Sequence, residues 1–170
     1  NRLLCESPHG QEIIAESTHK FMARLNLQKT QNSPIPVDLH DLKNKSVLIV
    51  DDDMRNIFAL SAILEDLGIH VLEATNASEA LDALGQNARI DMILMDIMMP
   101  GMSGHQVMSR IRNNKENRHI PVIALSAKAM TEDRVKALDS GADEFVSKPI
   151  ELEQLTSIME LWFKKQQYAS

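Results

Sequence analysis

The chain has 170 residues, enough for one domain with its own core and a modest appendage. It is 44% hydrophobic and 25% charged, an ordinary globular composition, and its formal net charge of -6 argues against a nucleic-acid partner. No stretch is apolar for long enough to span a bilayer, no signal-peptide pattern opens the chain, and the single cysteine, Cys5, has no internal partner for a disulfide. A cytoplasmic placement is expected, with no direct membrane contact. The first residue is Asn1, and the chain is read as a piece of a longer protein.

In chain order, Ile13, Ile14, Phe21, Met22 and Leu25 mark one face of a helix from about 11 to 27. Residues 29–44 read as a linker, stiffened at Ser33-Pro34-Ile35-Pro36. From Lys45 the apolar pattern alternates between two periods. Strands are predicted at 46–50, 69–74, 91–95, 120–125 and 144–147. Helices are predicted at about 54–67, 77–84, 104–114, 131–139 and 151–166. Gly68, Gly85 and Gly141 fall just past three of them, Ser103 with Gln106 reads as a capping box, and Thr131 reads as a cap. Strict alternation of strand and helix predicts an α/β fold: a doubly wound, five-stranded parallel sheet. The order 2-1-3-4-5 suits it, with an N-terminal helical extension.

Four of the apolar runs end in a polar group. Val47-Leu48-Ile49-Val50 ends in Asp51, Asp52 and Asp53; Met92-Ile93-Leu94-Met95 ends in Asp96. Val122-Ile123-Ala124-Leu125 ends in Ser126, and Phe145-Val146-Ser147 ends in Lys148-Pro149. Open parallel sheets bind ligands at that edge. Two unit charges about 4 Å apart repel by roughly 4 kcal/mol at an effective dielectric near 20, and a divalent cation removes that penalty. The bland reading of three acids is a helix N-terminus, which suits one or two of them. Together with Asp96 they point to Mg²⁺ and a phosphoryl group.

On these residues the chain from about 44 to 167 resembles the receiver domain of two-component signalling. The matching segments are LIVDDD, LMDIMMPGMSG, IALSA and FVSKP. The resemblance implies a flavodoxin-like receiver domain over 45–167 that accepts a phosphoryl group from a phosphohistidine in a Mg²⁺-dependent reaction. It implies Asp96 as the phosphoacceptor, Asp51, Asp52 and the backbone carbonyl of Met98 as further metal ligands, and Lys148 as the partner of the phosphoryl group. Ser126 and Phe145 become the switch pair, and the Lys148–Pro149 bond is expected to be cis. MRNIFALSAILEDLG and SAKAMTEDRVKALDSGADEF look most like the C-terminal receivers of hybrid histidine kinases, so the parent is expected to be such a kinase, membrane-anchored or not. This piece itself acts mainly as a phosphoacceptor. Residues 1–28 resemble the strand-helix remnant of a preceding receiver-like domain, with Glu6 where its lysine would fall.

Asn56, Ala59, Leu60, Ile63, Leu64 and Leu67 make an inward stripe on the first helix. Met54, Ile57, Phe58, Ser61 and Ala62 are left outside it, and Met54, Ile57, Phe58 and Ala62 form the expected docking face for a kinase core or a histidine phosphotransfer protein. The alternative occupant is the chain's own helix at 11–27. The six histidines show no paired metal spacing and read as surface or loop residues. Two other functions compete: a haloacid-dehalogenase-type phosphatase with Asp51 as nucleophile, and a receiver-like module that is never phosphorylated.

Overall fold

A computed structural model describes residues 42–86, 89–128 and 130–168. The readings made for 1–28 and for most of the linker lie outside the described residues. Leu42, near the end of that linker, is fully buried.

The aliphatic runs form strands β1 (Ser46–Val50), β2 (His70–Ala74), β3 (Met92–Asp96), β4 (Val122–Ser126) and β5 (Glu144–Ser147). Between and after them lie helices α1 (Met54–Asp66), α2 (Ala77–Gly85), α3 (Gly104–Asn113), α4 (Thr131–Asp139) and α5 (Leu152–Tyr168). The strands pair in parallel, in the order β2-β1-β3-β4-β5. β1, β3 and β4 are interior strands, buried on both faces from end to end apart from Ser46. That is why their sequences are continuous apolar runs rather than alternations.

Alternate strand residues face opposite sides. Leu48, Val50, Ile93, Met95, Val122, Ala124 and Phe145 share one core with Ala80 and Leu84 of α2, Val107, Met108 and Ile111 of α3, and Ala137 of α4. The opposite parity, Val47, Ile49, Met92, Leu94, Ile123, Leu125 and Val146, is equally buried. Right-handed crossovers require α1 and α5 to cover that second face. The Lys45 ammonium 5.3 Å from the Phe163 ring and the Gln166 amide 3.1 Å from the Asp91 carbonyl tie α5 to the starts of β1 and β3.

Three local readings change. Met130, extended at φ -74 and ψ 155, takes the N-cap position, and Thr131 is the first helical residue of α4. Gly85 closes α2 instead of following it. The inward stripe of α1 is Ile57, Leu60, Ser61 and Leu64. Ile57 is 0% exposed, so it leaves the docking face predicted for it; it sits three and seven residues before Leu60 and Leu64, on their side of the helix. Ser61 follows it inward, where its hydroxyl donates to Glu73 Oε1 at 2.6 Å.

Candidate functional site

The sheet order reverses between β1 and β3. β1 leads outward to β2, and the chain then returns past β1 to β3, which opens a crevice at the carboxyl ends of these two strands. Their register sets Val50 beside Met95. One residue further on, Asp51 and Asp96 therefore stand side by side. On the other flank of β3, Asp96 pairs with Leu125, and Ser126 pairs with Ser147, so Ser126 and Lys148 come to the same edge.

Carboxylate oxygens of Asp51, Asp52 and Asp96 lie within 4.8 Å of one another. Asp51 and Asp96 are buried; Asp52 faces solvent. The Lys148 ammonium donates to Asp51 Oδ2 at 2.7 Å and to Asp96 Oδ2 at 3.0 Å. Burial pulls the Lys148 pKa down, but the hydrogen bonds to Asp51 and Asp96 outweigh it, and the net shift is upward from 10.5. Three carboxylates with one ammonium leave two negative charges uncompensated.

The two buried carboxylates are each held by the chain that follows them. The Asp53 N–H donates to Asp51 Oδ1 at 2.9 Å, and the Asn56 amide straddles both Asp51 oxygens at 3.1 and 3.3 Å. The Met98 N–H donates to Asp96 Oδ1 at 2.9 Å. The Lys128 N–H donates to the Ser126 hydroxyl at 3.1 Å, and the Lys148 N–H donates to the Ser126 carbonyl at 2.7 Å. The Lys148–Pro149 bond is cis. Phe145 is buried in the core beneath this edge, opposite Ala124.

The three consecutive acids divide. Asp53 is the N-cap of α1, accepting from the Arg55 N–H at 2.9 Å and from the Arg55 guanidinium at 2.6 Å. The Arg55 side-chain hydrogen bond, followed by the backbone one, holds the Asp53 carboxyl down at about 2. The bland reading of an acidic helix start thus applies to Asp53, while Asp51 and Asp52 join Asp96.

Two residues of the site escaped the sequence reading. The apolar pattern places Asn56 in the core stripe, although a polar, weakly helix-forming residue in a first turn is a signal for another task. Gly104 lies within a recognised segment, but its contact is tertiary. A Cβ there would collide with the Asp96 carbonyl and come within 2.8 Å of the Ile97 Cα. Only glycine lets α3 begin this close to the end of β3. Of the predicted docking residues Met54 and Phe58 are exposed, Ala62 is half-buried and Ile57 is buried. His105 lies on α3 rather than in a loop, half-buried, with Nδ1 3.0 Å from the Ser140 hydroxyl.

Residues 47–160 match the response regulator receiver domain family. The sensor histidine kinase GacS of Pseudomonas protegens is 39% identical over 119 residues, covering 68% of this chain and 13% of that protein. The polar-differentiation response regulator DivK of Brucella anthropi is 41% identical over 106 residues, covering 62% of this chain and 85% of that protein. The chain therefore spans a small part of the kinase and most of the regulator. Among solved structures, the receiver domain of the sensor histidine kinase PA1611 of Pseudomonas aeruginosa, with magnesium coordinated in its active-site cleft, has a TM-score of 0.65 at 30% identity over 71% of this chain and 98% of that one. The phosphatase alternative is not favoured: residues 47–160 match the receiver family, and the magnesium-bearing receiver of PA1611 shares the fold. The chain belongs to the response regulator receiver domain family, the receiver module of two-component signalling.

Proposed function

We propose that Asp96 is the phosphoacceptor, taking its phosphoryl group from a phosphohistidine on a histidine kinase core or a histidine phosphotransfer protein. One observation carries this reading. Asp96 is a buried carboxylate at a strand end, bound by a lysine that it shares with a second buried carboxylate. Such a lysine is already in place to follow negative charge as it develops.

The donor set fits Mg²⁺. Three hard carboxylate oxygens lie within reach of one ion, and two charges remain after Lys148 is counted. Asp51, Asp52 and Asp96, with the backbone carbonyl of Met98, would hold it. When bound, Mg²⁺ supplies charge neutralisation for the oxygens of the transferring phosphoryl group. The protein's own residues do the rest. A carboxylate oxygen of Asp96 bonds to phosphorus, the phosphorus–nitrogen bond of the donor breaks, and the imidazole leaves with the electron pair. The Met98 N–H orients Asp96 for this attack. Lys148 then pairs with the new acyl phosphate, the Ser126 hydroxyl turns to donate to it, and Phe145 takes the space released.

The match to GacS supports a hybrid sensor histidine kinase as the parent, with the phosphate moving between its modules or on to a phosphotransfer protein. Any kinase activity belongs to that parent. Incubation with acetyl phosphate and Mg²⁺, followed by intact-mass measurement, tests the assignment. One added phosphoryl group is expected, and none in Asp96→Asn. A label that persists in Asp96→Asn and maps to Asp51 would overturn it.

A further inference from the structure

Asp51 is the most enclosed acid of the site, at 0% exposed. An ionised carboxylate has about four lone-pair positions. Three donors occupy Asp51: the Asp53 N–H, the Lys148 ammonium and the Asn56 amide. They differ in what happens when the site works. The Asp53 N–H belongs to the backbone turn and grips only Oδ1. Lys148 is shared with Asp96 and is the donor that must change partners. Asn56 alone spans both oxygens, at 3.1 Å from Oδ2 and 3.3 Å from Oδ1, so it fixes the rotation of the carboxylate plane.

The helix has no need of Asn56. It sits in the first turn of α1, where its own N–H donates to the Asp53 carbonyl at 3.0 Å, and asparagine is a weaker helix former than alanine. Its amide is uncharged, so it satisfies Asp51 without cancelling the negative charge a cation needs.

We infer that Asn56 is a positioning residue of the phosphoacceptor site: its amide holds the Asp51 carboxylate in the rotation that keeps an oxygen within one cation's reach of Asp52 and Asp96. This rests on the reading of these three acids as the Mg²⁺ site. Groups that orient a metal-binding carboxylate typically change affinity by about tenfold or more.

The test is Mg²⁺ binding by isothermal titration calorimetry, without any phosphodonor, for the whole chain. Asn56→Ala and the near-isosteric Asn56→Leu are compared with wild type and with Asp52→Ala, and each protein is also melted in chelator. Both Asn56 variants are expected to bind Mg²⁺ about tenfold more weakly while still melting cooperatively in chelator, at a temperature lowered by the loss of one donor to a buried carboxylate. Two variants guard against one that folds poorly. Mg²⁺ affinity within twofold of wild type in either variant that still unfolds cooperatively would overturn the role of Asn56. Affinity unchanged in Asp52→Ala would instead overturn the metal-site reading, and the inference with it.

Discussion

The Lys148 ammonium stands 2.7 Å from Asp51 Oδ2, although 97 positions separate the two residues. The pair joins the end of β1 to the loop after β5, across the full width of the site. Lys148 is only 19% exposed and its partners less, so the interaction is poorly screened. Removing one partner from such a cluster leaves charge buried without compensation, and Lys148→Met is expected to destabilise the metal-free protein by about 3 kcal/mol. The Lys148 pKa is raised in the folded state, so its contribution is complete below 10.5 and is lost as pH rises through the folded value. Urea denaturation in chelator across the alkaline range should show the gap between wild type and Lys148→Met constant below 10.5 and narrowing above it.

Two glycines respond oppositely to the same methyl group. At Gly104 a Cβ meets the backbone of Asp96 and Ile97, which gives way only by moving the end of β3 or the start of α3. Gly104→Ala is expected to cost about 3 kcal/mol, by analogy with overpacked cores, and to slow labelling of Asp96. At Gly85, on the last residue of α2, a Cβ meets nothing within 4 Å. Gly85→Ala is expected to stabilise by about 0.5 kcal/mol, through a less flexible unfolded chain. Paired denaturation curves check both signs.

Met98 is 51% exposed beside Asp96, and Lys128 follows Ser126 by two residues with its N–H on the serine hydroxyl. Neither side chain offers a carboxylate or amide to orient an attacking water. Slow loss of the phosphoryl group is therefore expected, and faster loss in Met98→Asn. The decay of phosphorylated protein, followed by mass, measures it. Equal lifetimes for the two proteins would rule out Met98 as a barrier to water.

The burial of Ile57 separates two effects that the sequence merged. Ile57→Ala is now expected to lose about 2–5 kcal/mol of stability as a core truncation. Phe58 is 42% exposed and Met54 55%, and truncating either should leave folding and acetyl-phosphate labelling intact. If these two anchor the phosphodonor, Phe58→Ala and Met54→Ala slow transfer from a phosphohistidine partner. Transfer at the wild-type rate in both variants removes this face from the docking model.

The periodicities were sufficient for the architecture. Four apolar runs, each ending in a polar residue and separated by helical periods, are compatible with little besides a parallel sheet carrying its chemistry at one edge. That Asp51, Asp52, Asp96, Ser126 and Lys148 meet at one edge was legible because strand ends in such a sheet converge whatever the details of packing. Rotation and distance were not legible. A helix with apolar residues on most sides has several stripes that could turn inward; the packing of Ile57, Leu60 and Leu64 selected one of them and buried a residue expected at the surface. Which of three adjacent acids caps a helix and which join Asp96 was decided by the turn after β1, where Arg55 claims Asp53. The roles of Asn56 and Gly104 exist only in three dimensions, one as an amide laid across a buried carboxylate and the other as missing atoms against the Asp96 backbone. Hydrophobic period records which residues leave water, whereas hydrogen-bond partners and close approaches depend on distances that only the packed chain defines.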